Sequence, residues 1–193
     1  MDTLKFDVIV IGSGGGTKLV RPVAALGKRV AIIERWKLGG TCLNRGCIPS
    51  KMLIHHAELI SEFLEMRRFD FTEVGTVPKC DFEQIVSKVG KTVDEESESI
   101  PALYSRTSGV ELFRGCATFE SDHVVRVGDH LLEAENVFVA VGGRPKVKVE
   151  DIEGLEGTPF WTSTEALCCT KQPKKDDCVG WWIHCSRAWI FFW

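Results

Sequence analysis

The segment "GGTCLNRGCIPSK", residues 39–51, sets Cys42 and Cys47 among glycines and a proline, with Lys51 four positions beyond the second thiol. Two neighbouring thiols can form part of a metal site or act as a dithiol/disulfide pair. The metal reading is poor: four residues separate the cysteines and no second pair of zinc spacing follows. No metal is therefore expected. The redox reading carries a geometric condition. In a continuous helix, positions i and i+5 lie roughly 7.5 Å apart along the axis. The Cα atoms of a disulfide are usually only about 4.4–6.8 Å apart. The two can bridge only if the chain bends before or within the first helical turn. Asn44 and Gly46 tolerate such bending, and Pro49 is acceptable in a first turn. "SKMLIHHAELISEFLEMRR" then carries Leu53, Ala57, Ile60 and Leu64 at helical spacing. The thiols are thus expected at a helix N-terminus, where the dipole favours thiolate.

A redox pair needs an electron partner, and the first forty residues supply a candidate site. "KFDVIVIGSGGG" opens with a β-branched run, Val8 to Ile11, suited to a strand buried on both faces. Gly12, Gly14, Gly15 and Gly16 follow, then a helix over Lys18–Leu26 closed by Gly27, then a second strand, "RVAIIE", ending at Glu34. This is a βαβ unit. Gly12 permits the tight turn, Gly14 lets backbone approach a pyrophosphate, and the helix N-terminus offers N–H groups to phosphate. Glu34 lies 22 positions after Gly12, where a ribose-binding acid is expected. Two features depart from the fingerprint: Thr17 occupies its last glycine position, which predicts looser helix–strand packing, and Pro22 should kink the helix or shift its start.

"GGTCLNRGCIPSK" resembles the active-site signature of the class I pyridine nucleotide–disulfide oxidoreductases, the family of dihydrolipoamide dehydrogenase and of glutathione, mercuric and mycothione reductases. The resemblance implies that the dinucleotide is FAD. It implies contacts to the cofactor from Gly12, Gly14, Gly15, Glu34, Gly40, Thr41 and Lys51. Cys47 would face the flavin as charge-transfer thiolate, Cys42 would exchange with a disulfide or dithiol substrate, and Lys51 would lie near flavin N5. "CLNRGCIPSK" is most similar to dihydrolipoamide dehydrogenase, and "KMLIH" is also similar to mycothione and mercuric reductases.

The remaining sequence is consistent with that frame. Residues 81–104 read as an amphipathic surface helix with Ile85, Val89, Val93 and Ile100 as its apolar positions and "DEESES" as a solvated face. "VELFRGCATFE", "HVVRV" and "HLLEA" alternate like strands, with Gly128-Asp129 as a hairpin turn. "NVFVAVGGRP" reads as a further buried strand. Ala140 replaces the family's usual Thr there, so Gly142 and Gly143 alone carry the expected cofactor contact. "IEGL" and "TSTEAL" also match the family. His55, His56, His123 and His130 match no catalytic histidine and are read as surface or packing residues; Cys80, Cys116, Cys168 and Cys169 are read as small buried or idle thiols. The implied fold is α/β: a Rossmann-like FAD-binding domain with a parallel central sheet and a small antiparallel β-meander, incomplete, over residues 1–173. The family's nicotinamide domain, which binds NAD or NADP, and its homodimerisation domain would follow.

The 193 residues carry a net charge of −3, which gives no electrostatic case for nucleic acid or an anionic membrane. No 18-residue apolar run and no secretory leader are read, so the expectation is a cytoplasmic protein without a disulfide framework. Residues 174–193 break the pattern: four of the six tryptophans fall in the last 13 residues. Trp has the single codon TGG. Read one base later, Trp181, Trp182 and Trp189 each become glycine, and synonymous codons allow "LGGGYIAxELGFFF", similar to the loop that opens the family's nicotinamide domain. The expectation is a frameshift between about Pro173 and Cys178, and a 193-residue chain that is inactive by itself. A stand-alone flavin-binding module and an interaction protein with an aromatic tail are the alternatives.

Overall fold

A computed structural model describes residues 2–69, 71, 75–76 and 79–171. The predicted tail, 174–193, lies outside the described residues, as does Pro173. The described chain falls into two units: residues 2–44 with 94–144, and residues 45–93 with 145–171.

The first unit is built on a six-stranded sheet. Its strands are β1 (Thr3–Ile11), β2 (Val30–Glu34), β3 (Val110–Arg114), β4 (Ala117–Ser121), β5 (Val124–Val127) and β6 (His130–Val139), in the order β3-β2-β1-β6-β5-β4. β3, β2, β1 and β6 run parallel, whereas β4, β5 and β6 form an antiparallel meander. The parallel core and the small meander thus share one sheet. β1 is central, with Val8 opposite Val30 on one side and Asn136 on the other. Strands buried on both faces need apolar residues at successive positions. Ile9, Ile11, Ala31 and Ile33 accordingly join Val125, Val127 and Leu132 in one cluster. Val8, Val10, Val30 and Ile32 join Val20, Leu38 and Tyr104 in the other. Ile9, Val10, Val30 and Ile32 are fully buried, and each such side chain contributes about 1.5–3 kcal/mol.

α1 (Thr17–Ala25) supplies Val20 to the second cluster. It starts at Thr17 and continues through Pro22, so its start is not displaced as the proline suggested. Gly27, at φ +75°, ends it as expected. α2 (Gly40–Arg45) and α3 (Cys47–Met66) follow β2, separated by Gly46 at φ −150°, ψ −116°. α4 (Phe82–Ser105) closes the crossover to β3; its residues 94–105 belong to the first unit and 82–93 to the second.

The second unit holds α3, a 3₁₀ turn at Val149–Asp151 and α5 (Ser163–Ala166). Its core is Leu53, Val86 and Val89, with Met52, Phe82, Ile85 and Leu167 packed around them. Leu53 and Val89 belong to the predicted apolar stripes; Leu64 is 45% exposed. Among the described residues no helix is long and apolar enough to cross a membrane.

Candidate functional site

The site begins where β1 ends. Gly12 adopts φ +105°, and its N–H donates to Ile33 O at 2.8 Å, so the chain turns without breaking the sheet ladder. A Cβ at Gly12 would lie 2.3 Å from Ala140 O, so the segment leaving β6 closes over the turn. Gly16, at an ordinary helical φ, is crowded mainly by side chains: its Cβ would meet Val10 Cγ1 at 2.6 Å and Ala140 Cβ at 2.8 Å. Close packing of α1 on the sheet therefore rests on Gly16. The looser packing expected from Thr17 does not show at Gly16, and Thr17 Oγ1 turns back and donates to Gly14 O at 2.7 Å. The first-turn amides of Thr17, Lys18 and Leu19 donate to the carbonyls of Gly14, Gly15 and Gly16.

A second glycine turn meets the first. Gly40 sits at φ +65° at the start of α2, and a Cβ there would lie 2.5 Å from Gly14 Cα. The two backbones touch because Gly40 has no side chain; a Cβ at Gly14 would sit in ordinary contact, 3.5 Å from Gly40 Cα. Close backbone approach of this kind, with Gly14 and Gly15 leaving room beside it, suits a backbone surface for a pyrophosphate. Gly15, Gly142 and Gly143 are open: a Cβ at any of them would meet nothing within 4 Å.

Glu34 ends β2 as the expected acid, and its surroundings explain its state. Oε2 accepts from Ser13 Oγ at 2.7 Å and Ser13 N–H at 3.0 Å, and Oε1 accepts from Trp36 N–H at 2.9 Å. Burial works against the charge, but the hydrogen bonds from the Ser13 hydroxyl and from the backbone of Ser13, Trp36 and Arg35 outweigh it. The carboxyl is held below its usual value. Oε1 retains acceptor capacity for a ribose hydroxyl. Ser13, 1% exposed, also accepts from Gly39 N–H at 3.1 Å, which ties the β1 turn to the loop before α2. These residues fit an FAD dinucleotide on two counts, the close glycine turns and the fixed acid.

The thiols lie on the two helices that follow. Cys42 is the third residue of α2 and Cys47 the first of α3, and both are exposed thiols. The helix is interrupted at Gly46, as the disulfide condition demanded. Asn44 contributes no unusual backbone; it is helical and buried, and its Nδ2 donates to Leu38 O at 2.8 Å and Gly40 O at 2.9 Å. Lys51 lies one turn after Cys47, on the same face of α3, and is exposed. Thr41 is exposed on α2. The structure thus brings Gly12, Gly14, Glu34 and Gly40 together in the first unit, with Thr41 and Cys42 directly following. Cys47 and Lys51 open the second unit's long helix.

Sequence reasoning missed Ser13, Gly16, Asn44 and Ser97. The "DEESES" face is also not wholly solvated: Asp94 pairs with Lys37 at 2.5 Å, and Ser97, 5% exposed, donates to Leu38 O at 2.8 Å. The histidines make packing or backbone contacts: His56 Nδ1 lies 2.7 Å from Met52 O, His123 Nδ1 lies 3.1 Å from Ala134 O, and His130 meets Phe113 edge-on. Cys80, Cys116 and Cys168 are exposed, which corrects the buried alternative for these thiols. Among the described residues no group of three or more His, Cys, Asp or Glu is placed to hold a metal ion.

Comparison with known proteins agrees with this geometry. The chain is 33% identical over 180 residues to a glutathione reductase of Nostoc sp., covering 92% of the chain and 38% of that protein. It is 34% identical over 196 residues to a dihydrolipoyl dehydrogenase of Chlorobaculum parvum, covering 97% of the chain and 40% of that protein. Among solved structures it superposes on the HOCl-induced flavoprotein disulfide reductase RclA of Escherichia coli with a TM-score of 0.70 at 26% identity, over 88% of the chain and 35% of RclA. The chain therefore spans between a third and two fifths of the length of these relatives. Its fold is the Rossmann-like FAD-binding fold of the disulfide reductases. The family model described as "Pyridine nucleotide-disulphide oxidoreductase" matches residues 6–180, and the chain belongs to that family of FAD-dependent oxidoreductases.

Proposed function

We propose that the chain is the FAD-binding, dithiol-bearing part of an NAD(P)H-linked flavoprotein disulfide oxidoreductase. The observation that carries this reading is the contact of Gly40 with Gly14. One short turn forms a wall of the cofactor cradle and leads, two residues later, into the first thiol. Gly12, Gly14, Gly15, Gly40 and Thr41 would hold the pyrophosphate, Glu34 the ribose, and Gly142 and Gly143 the far side. FAD, when bound, supplies two-electron exchange between a nicotinamide and the dithiol.

The thiols do the exchange with substrate. Cys42 thiolate attacks one sulfur of a disulfide substrate, and the other substrate sulfur leaves as thiolate and takes a proton. Cys47 thiolate then attacks Cys42 Sγ, which releases the second substrate sulfur, again protonated, and leaves the Cys42–Cys47 disulfide. Two electrons and two protons pass to the substrate. The reverse sequence oxidises a dithiol. Lys51, one turn from Cys47, is assigned to the flavin side.

The substrate class is a small disulfide/dithiol. Within it, a dihydrolipoyl group is favoured by "CLNRGCIPSK", while similarity to the glutathione reductase and the dihydrolipoyl dehydrogenase is nearly equal, 33% and 34%. A homodimer is proposed for the full-length enzyme, and a cytoplasmic location.

The test is FAD fluorescence titration of the chain and of Gly40→Ala. An alanine at positive φ costs about 1–2 kcal/mol, and its Cβ must also displace Gly14. The wild-type chain should bind FAD saturably and Gly40→Ala at least about tenfold more weakly. Equal affinities, or no binding by the wild type, would contradict the cradle.

A further inference from the structure

Residues 38–40 end the link from β2 and open α2, and side chains hold this turn at each residue. Leu38 O accepts from Ser97 Oγ at 2.8 Å and from Asn44 Nδ2 at 2.8 Å. Gly40 O accepts from the same Nδ2 at 2.9 Å, and Gly39 N–H donates to Ser13 Oγ at 3.1 Å. Asn44 is 8% exposed and Ser97 5% exposed, so water competes little for these bonds. Chemistry settles the orientation of the amide. Both groups on its inner side are carbonyls, which only accept, so the nitrogen must face them. Asn44 Oδ1 is then buried without a hydrogen-bond partner among the described residues. A buried acceptor without a partner opposes folding, and a leucine would avoid that cost. What asparagine supplies in return is the pair of donations to two carbonyls of this one turn.

We propose that Asn44, backed by Ser97 of α4, is the positioning residue of the redox turn. It locks Leu38–Gly40 so that Gly40 stays against Gly14 and Cys42 follows at a fixed place on α2. In this role Asn44 acts through Gly40, its amide N–H groups being engaged by Leu38 O and Gly40 O. The inference rests on the reading of Gly14 and Gly40 as the cofactor cradle.

Asn44→Asp has nearly the same shape but, when ionised, presents two acceptors to two carbonyls. Protonation returns one O–H donor. Ser97→Ala removes one of the two donors to Leu38 O and tests the same turn from α4 if Asn44→Asp fails to fold. Two readouts are used on the 193-residue chain: amide hydrogen exchange over residues 39–43 without FAD, and FAD titration, with Gly40→Ala as control. At pH 7.5, Asn44→Asp should exchange over 39–43 at least about tenfold faster than wild type, with β1 and β2 unchanged. Its FAD affinity should fall by at least about tenfold. Relative to wild type at the same pH, both losses should shrink at pH 5.5. Ser97→Ala should show a smaller loss that does not depend on pH. Wild-type exchange over 39–43 in both variants would overturn the proposal. So would wild-type FAD affinity in Asn44→Asp when Gly40→Ala loses it, an outcome that leaves the cradle reading standing. Unchanged FAD affinity in Gly40→Ala would instead overturn the cradle reading, and this proposal with it.

Discussion

Ser13→Ala removes a single buried oxygen and tests whether Glu34 is built into the site as a fixed acceptor. The Ser13 hydroxyl donates to Glu34 Oε2 at 2.7 Å and accepts from Gly39 N–H at 3.1 Å. A hydrogen bond to a charged group contributes about 1.5–3 kcal/mol and a neutral one about 0.5–1.5 kcal/mol. Glu34 is only half-buried and keeps the Ser13 N–H at 3.0 Å, so the lower ends of both ranges apply. The variant should therefore lose about 2 kcal/mol at pH 7, a fall in Tm of roughly 4–8 °C for a chain of this size. The sign of the pH dependence follows from the acid. Burial raises the Glu34 pKa, but the Ser13, Trp36 and Arg35 hydrogen bonds bring it below 4.5 in the folded chain. A carboxyl depressed on folding contributes its stability above the unfolded value and loses it as pH falls through the folded value. The deficit of Ser13→Ala should be full at pH 7 and shrink below about pH 4.5, toward the neutral Gly39 bond alone. Urea unfolding of both chains from pH 7 to pH 3 measures this. A wild-type midpoint at pH 7, or a deficit constant down to pH 3, would refute the reasoning.

Three further outcomes are expected. Gly16→Ala should destabilise by about 1–3 kcal/mol through overpacking against Val10 and Ala140; Thr17→Ala should cost less than Gly16→Ala in the same unfolding assay. In the family-length enzyme, Cys42→Ser should abolish disulfide exchange and keep a flavin–thiolate absorbance band, and Cys47→Ser should remove the band; the opposite pattern would reverse the two roles. Resequencing the gene across codons 170–193 should show a one-base slip between about codons 173 and 178; an intact frame would reinstate the tail as native sequence.

Much of the parallel core was legible because it is local. Val8–Ile11 and Val30–Ile33 are short β-branched runs, and a strand buried on both faces allows little else. The turn at Gly12 and the acid at Glu34 followed from spacing. What stayed hidden depends on partners distant in sequence. "HLLEA" and "NVFVA" read as two strands, with Glu135 and Asn136 interrupting the apolar pattern, yet β6 is continuous because β1 pairs along nearly all of it. Spacing alone gives Gly16 no role; the side chain that closes on it, Ala140, comes from just past the far end of β6. Ser97 sat within an acidic run whose solvated reading suited its neighbours Glu95, Glu96 and Glu98. Its target, Leu38 O, is 59 residues away. The pairing of the cysteines is an expectation from the glycines and proline around them; the structure shows the interruption at Gly46 that their spacing calls for.

The central claim is that Cys42 and Cys47 form a redox pair on a flavin-binding fold. Its most direct measurement is peptide mapping of the 193-residue chain after oxidation with one equivalent of a small disulfide, followed by alkylation without reduction. The account predicts a Cys42–Cys47 disulfide as the main product, reopened by dithiothreitol, with Cys80, Cys116 and Cys168 alkylated throughout. Cys42 and Cys47 both alkylated after oxidation, or bridged to other cysteines instead of each other, would contradict it.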